Sequence, residues 1–479
     1  MANTSFFKKI DCRYFWFVPL AMISHLLIGG VEYPQIAIAS IAASVLTMLL
    51  LSSVNYSCFS SVTIYSLMAF VSYPVAVYAN LLLESPAVRP DLWEETGFAL
   101  SGYIIGVVFM YFGVKVHKFF SRNNEKHADD VCVVTSVRFN FAVASIVLFV
   151  VILKLKLGLY YHGSIVSFSG ENNGYLNLLE HLSWLSYCGM FLQVYRYIAT
   201  KSKKDLFFAL ILVSVPMLAF LPSGSREQAF GYMPLLILFY LYFEKSFKAQ
   251  VTALSMALLI GVPLMIIVGI YRDIKGVADV SGAEKYAAFQ IAASAAQSEK
   301  IDSKRIIVGR LSDFVATGRI IAKTPEEFPF SGFTGMEEWW QVFLPGFLRP
   351  SSSSLNFTEG AVETQRYRVS NGEWTSTPIM ILGDLFRRFD WWGIVCGMFI
   401  FGYVLSAIDL ILSSQKKVFF IVFGVLFFRF VWRLYVDSLL ISFSAFTRDI
   451  LLVYLVSKVL VYFANRRVKC SQHVLPVNT

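Results

Sequence analysis

Long apolar runs alternate with short polar connectors along most of the chain, a pattern of membrane crossings rather than of amphipathic surface helices. A run of roughly 20 apolar residues crosses a hydrocarbon core of about 30 Å as an α-helix. Twelve runs are read as spans: Tyr14–Gly30, Pro34–Leu51, Phe59–Leu83, Thr96–Val114, Phe139–Leu157, Leu179–Ala199, Leu206–Leu221, Ala229–Phe243, Val251–Ile270, Trp392–Leu412, Val418–Trp432 and Ile450–Phe463. The pair near Leu206 and Ala229 is short for a crossing and reads as tilted or partly re-entrant. The first run, behind Phe6-Phe7-Lys8-Lys9, resembles a signal peptide in outline. It lacks a convincing small-residue cleavage site and reads as a first spanning helix. The pattern predicts an all-α polytopic integral membrane protein.

Between the ninth and tenth runs lies the single long hydrophilic stretch, from about Tyr271 to Thr377. It is too long for a simple connector. Ala283–Ser298 and Arg305–Ile321 read as helical, the second with apolar residues spaced at three and four. Pro325 and Phe328-Pro329 break that pattern, and Gly332–Glu363 reads as an ordered, irregular loop. A last helix outside the membrane is predicted to begin at Thr377-Pro378, a hydroxyl cap followed by proline, and to run through Leu382–Phe389. Three regions follow: an N-terminal bundle over 1–270, an external loop over 271–377, and an external helix with the last spans over 378–479.

Charge supplies the sidedness. Lys8, Lys9 and Arg13 precede the first span, and Lys115, Lys118, Arg122 and Lys126 follow the fourth. Lys201, Lys203 and Lys204 follow the sixth, Lys245 and Lys248 the eighth, Lys416 and Lys417 the tenth, and Arg466, Arg467 and Lys469 the last. The opposite connectors carry Glu32, or Glu84, Asp91, Glu94 and Glu95, or the polar Glu171-Asn172-Asn173-Gly174. The positive-inside rule then places both termini in the cytoplasm and the 271–377 loop outside.

Composition agrees. The 479 residues are 56% hydrophobic and 15% charged, too little polar surface for a dissolved globule of this length. Aromatics at 16%, with 44 Phe, suit lipid-facing and interfacial positions. The net charge of +9 is absorbed by the basic inner connectors, so nucleic acid is not indicated as a partner. The cysteines Cys12, Cys58, Cys132, Cys188, Cys396 and Cys470 avoid the external loop and form no CxxC pair, so neither a disulfide framework nor a zinc site is indicated.

Four polar constellations could carry chemistry, because an ion near lipid is costly without a partner or a task. Pro222-Ser223-Gly224-Ser225-Arg226-Glu227 forms the turn between the seventh and eighth spans. There Arg226 could make a two-pronged phosphate contact beside Ser225, or simply snorkel to headgroups and pair with Glu227. Tyr271-Arg272-Asp273 ends the ninth span. Arg272 is either half of a helix-terminal ion pair or a second phosphate or sugar contact. Asp384, Arg387 and Arg388 share one helical face at spacings of three and four. They form either a surface ion pair or a carboxylate flanked by cations and able to accept a proton. Glu373, in Asn371-Gly372-Glu373-Trp374, is a second candidate carboxylate. Arg429 lies deep in the eleventh run with Arg433 and Asp437 after it, and should face the bundle interior.

What the sequence lacks also counts. It has no Walker A loop, no Asp-x-Asp motif in the external loop to hold a metal on a nucleotide-sugar, and no chain of intramembrane acids for proton coupling. No metal or cofactor is indicated. His162 and His181 are the external histidines, and both read as surface or interfacial residues.

Three short signatures occur in order through the second half of the chain: Ser223-Gly224-Ser225-Arg226 before a span, Thr324–Gly332 with Phe343-Leu344-Pro345, and Ser376-Thr377-Pro378 through Leu382-Gly383-Asp384-Leu385 to Trp392-Gly393. With the layout of spans and loop, this set resembles the Wzy-type polymerases of oligosaccharide repeat units, which make O-antigen, capsule and exopolysaccharide. The first half matches only in hydropathy. After Pro345 the chain departs from the pattern: Pro345-Gly346-Phe347-Leu348-Arg349-Pro350 leads into serines and lacks the usual Lys.

The resemblance implies a GT-C-like membrane glycosyltransferase of the bacterial inner membrane, inverting and metal-independent. Its substrates would be undecaprenyl-diphosphate-linked oligosaccharides, and membrane lipids, a flippase and a chain-length regulator its further partners. On this reading Arg226 and Arg272 bind diphosphate, with Ser225, Arg387, Arg388 and Arg429 as further substrate contacts. Asp384 or Glu373 accepts the proton, and Trp339, Trp340 and Trp374 stack on sugars. A lipid-linked-oligosaccharide flippase, or a ligase of the O-antigen type, is the alternative.

Overall fold

The computed structural model describes residues 16–28, 33–54, 60–82, 92–121, 200–220, 314–334 and 379–414, with scattered positions between 144 and 259 and between 336 and 454. Among them every regular element is helical. The elements are α1 (Phe17–Leu27), α2 (Pro34–Val54), α3 (Ser61–Phe70), a π-helical turn (Val71–Val75), α4 (Ala76–Leu82), α5 (Trp93–Ser121), α6 (Lys203–Phe220), α7 (Phe314–Lys323) and α8 (Met380–Ser414).

Four stretches are long and apolar enough to cross a membrane: Pro34–Ser53, Ser61–Leu82, Trp93–Ser121 and Met380–Leu410. They correspond to the second, third, fourth and tenth runs of the sequence. Most of the fifth, sixth, eighth, ninth, eleventh and twelfth runs lies outside the described residues. The third span is continuous through Pro74 because a π turn is inserted there. Proline lacks an N–H and its ring crowds the carbonyl four residues back, and the wider turn makes room. The fourth run, expected over Thr96–Val114, extends to Trp93–Ser121. Glu94 and Glu95 in its first turn and Lys118 in its last complement the helix dipole, so charges assigned to connectors lengthen the helix instead.

α5 and α8 form the spine. They run parallel: Gly102 meets Ile394 and Gly106 meets Met398 near one end, and His117 Nδ1 lies 2.9 Å from Ser406 Oγ near the other. A Cβ on Gly113 would overlap the Phe399 carbonyl, and one on Gly402 would overlap the Met110 carbonyl. These two glycines let the backbones touch, the kind of approach that holds helices together where lipid removes any hydrophobic incentive. Hydroxyl pairs tie the other helices to this spine. Thr47 Oγ1 and Tyr103 OH are 2.7 Å apart, Ser66 Oγ and Tyr111 OH 3.0 Å.

At the Ser121 end of the spine, Asp409 of α8 reaches the start of α3. Its Oδ1 accepts from Ser61 N at 2.9 Å and from Ser61 Oγ, and its Oδ2 from Val62 N at 3.4 Å. A carboxylate from one span thus caps the exposed amides of another. α7 and the turn after it pack at the opposite, Trp93 end. This part of the 271–377 region is built onto the helices rather than standing apart from them.

Candidate functional site

The Trp93 end of the spine is assembled from three stretches distant in sequence. α7 is short, with one face of Phe314, Thr317, Ile320 and Ile321 buried. Gly383 of α8 lets Ile320 approach at 3.0 Å from where its Cβ would stand. Thr317 Oγ1 lies 2.9 Å from Tyr73 OH in the π turn, and Tyr73 stacks on Tyr103 of α5. Arg319 pairs with Glu95 of α5 at 3.3 Å. α7 ends at Lys323, which bonds Glu327 at 3.0 Å, as the Thr324-Pro325 step turns the chain.

α8 is two helices joined by a break. Phe389 and Asp390 leave helical geometry, and Asp390 takes φ +59° and ψ −159°, strained for any residue but glycine. The break falls at Phe389, where the sequence predicts one helix to end ahead of the apolar run that begins at Trp392. It strips the carbonyls of Arg387 and Arg388 of their helical partners. The turn after α7 replaces them: Ser331 N donates to Arg387 O at 2.8 Å and Gly332 N to Arg388 O at 3.1 Å. Arg388 Nη1 reciprocates, donating to Gly332 O at 3.2 Å and Thr334 O at 2.9 Å.

Beneath this clamp sits Asp384, with no solvent exposure. Its Oδ1 accepts from Arg387 Nε at 2.7 Å and Nη2 at 2.6 Å, and from Arg388 Nε at 3.1 Å. Its Oδ2 accepts from Leu439 N at 2.7 Å, which ties α8 to a segment 55 residues further on. Arg387 and Arg388 are each 1% exposed. The spacing of three and four places the three side chains on one face, as the sequence predicts. That face turns inward, and the cluster is no surface pair. A fully buried carboxylate shared by two guanidinium groups is arranged to hold its neighbours, and a proton acceptor would need a path by which the attacking hydroxyl could reach it. Chemically the cluster fixes two cations and the turn after α7 at the Trp93 end of the spine.

The remaining predicted positions, Arg226, Ser225, Arg272, Glu373 and Arg429, lie outside the described residues, as do Trp339 and Trp374. Trp340 is described and exposed. Among the described residues no group of three or more His, Cys, Asp and Glu side chains could hold a metal ion. Sequence reasoning did not single out Asp409 with Ser61, or the pairing of Glu95 with Arg319. An aspartate inside the apolar Ala407-Ile408-Asp409-Leu410 is a usable signal for the first. Nothing local signals the second.

No curated protein and no solved structure matches the chain. One family matches residues 132–463, which include α6, α7, α8 and the Asp384 cluster and leave out α1 to α5. By that match the chain belongs to the family described as a domain of unknown function, DUF8712.

Proposed function

We propose that the protein is a polymerase of lipid-linked oligosaccharide repeat units acting at the outer face of the bacterial inner membrane. One observation carries the reading. Thr324–Gly332 and Leu382–Leu385, two of the three signatures, belong to segments that meet at the Trp93 end through the Ser331, Gly332 and Arg388 hydrogen bonds. The meeting of segments more than fifty residues apart at a buried ionic cluster supports reading them as parts of one site. That site lies where helices long enough to span end in an aromatic-rich rim.

In the proposed reaction a sugar hydroxyl of an incoming lipid-linked unit attacks the anomeric carbon of the growing glycan. The new C–O bond forms as the bond from that carbon to the diphosphate oxygen breaks, with inversion. Undecaprenyl diphosphate leaves with the electron pair, and the hydroxyl proton passes to a carboxylate. Arg226 and Arg272 meet the diphosphate, where fixed guanidinium groups stabilise the charge that gathers on the leaving group. Ser225 and Arg429 are further contacts. Glu373 is the candidate proton acceptor. The burial of Asp384 between Arg387 and Arg388 favours a positioning role, holding both arginines and, through Arg388, the turn. No metal enters the scheme.

The test is reconstitution of the full chain in vesicles with one purified lipid-linked repeat unit. A ladder of longer lipid-linked products, lost in Arg226→Ala, supports the proposal. Unchanged length with the unit moved across the bilayer points to a flippase instead, and transfer to a different acceptor points to a ligase.

A further inference from the structure

Along the second part of α8, the outward-facing positions are Trp392, Cys396, Ile400, Tyr403 and Val404, spaced at three and four as one stripe. An exposed apolar stripe on a helix long enough to span faces lipid, and Trp392, 73% exposed, stands at its Trp93 end. Phe389, half-buried, lies at the break itself, next to the Trp392 end of the stripe. Against its ring packs Phe333 of the external turn, with centroids 4.8 Å apart and Phe333 itself 72% exposed. Phe333 therefore places an exposed ring of the turn against the break, at the Trp392 end of the lipid-facing stripe. Phe330 sits beside it on Phe386, centroids 6.2 Å apart, and is exposed as well. At the same end of the spine Trp93 of α5 is exposed and edge-packed on Tyr33 at 4.7 Å.

The turn is held, not loose. Four hydrogen bonds fix it: from Ser331 N and Gly332 N to α8 carbonyls, and from Arg388 to Gly332 O and Thr334 O. A large aromatic ring locked outward at the head of a lipid-facing stripe is poorly placed in water and well placed at the boundary of headgroups and acyl chains. We infer that the Phe330–Phe333 turn is an interfacial anchor that inserts its aromatic rings into the bilayer boundary. It thereby sets the height of the Asp384 cluster relative to the lipid surface. The inference stands on the packing at the break and does not rest on the proposed reaction.

The test is a spin label on the full chain reconstituted in vesicles of phosphatidylethanolamine and phosphatidylglycerol. Serine in place of all six native cysteines, Cys396 on the stripe included, removes the competing thiols, and Phe333→Cys supplies the labelled site. Ile400→Cys serves as the lipid-facing reference and Glu326→Cys, exposed beyond α7, as the water-facing one. Collision with dissolved oxygen is expected to exceed collision with an aqueous nickel chelate at 333, as at 400, with the ratio reversed at 326. Phe330→Cys should read the same way, so a misfolded 333 variant does not leave the inference standing by default. Nickel-dominated collision at both 330 and 333 would overturn it, as would exclusion of both probes, which would mean that protein covers the turn.

Discussion

α8 carries a buried aspartate near each end, and the two are satisfied in opposite ways. Asp409 receives a hydroxyl and two backbone amides from the start of α3. Asp384 receives two guanidinium groups and one amide, Leu439 N. The Asp409 arrangement is a helix cap delivered from a neighbouring span, and it closes a junction between two helices. Asp384 instead gathers cations, and around the cluster converge α8, the turn after α7 and Leu439. Ion clusters are expensive to build in an apolar bundle, and a protein that needed only to join helices already has the cheaper solution at its other end. The contrast gives the Ser121 end a structural part and makes the Trp93 end the candidate functional site.

Substitutions can break or sharpen that contrast. Asp384→Ala leaves two buried guanidinium groups without their shared carboxylate, and is expected to lower stability by about 3–5 kcal/mol. Thermal unfolding of the purified protein in detergent reads this, with loss of folded yield as its extreme. At the crossing of α5 and α8, Gly402→Val would press a side chain into the Met110 carbonyl and is expected to cost about 1–3 kcal/mol. That loss should leave the contacts of the Asp384 cluster intact, so in the protein that still folds, product length is expected to be unchanged. Gly332 has φ +53° and open space around its missing Cβ, so Gly332→Ala tests backbone strain alone. An expected cost of about 1–2 kcal/mol should appear as faster proteolysis at the turn more than as a lower global midpoint. Smallest is Asp409→Asn, which keeps an acceptor for Ser61 and is expected to cost about 1 kcal/mol with product length unaltered. If Asp409→Asn proved the more damaging of the two aspartate changes, the division of labour between the ends would be wrong.

Local features were readable in the sequence, and they were local for a physical reason. The break in α8 shows as the end of one helical pattern at Phe389 and the onset of an apolar run at Trp392. The end of α7 shows as Pro325, and the common face of Asp384, Arg387 and Arg388 follows from spacings of three and four. What stayed hidden is long-range. The same spacing describes a solvated ion pair and a buried cluster equally well. The difference is made by Leu439 and by the Ser331–Thr334 turn, which no periodicity links to α8. Asp409 meets Ser61 across 348 residues, and the glycine crossing of α5 on α8 needs both helices in place before either stripe means anything. The positions proposed for phosphate contact and proton transfer, Arg226, Arg272 and Glu373, remain readings of sequence and chemistry.

The most direct test compares three full-length proteins in vesicles supplied with one lipid-linked repeat unit: the natural chain, Asp384→Asn and Asp409→Asn, each normalised to folded protein. The account predicts a ladder of lengthened products from the natural chain, a ladder retained by Asp409→Asn, and its loss in Asp384→Asn while the folded fraction persists. A natural chain that leaves the repeat unit at its original length, or an Asp384→Asn protein that extends it normally, would contradict the account.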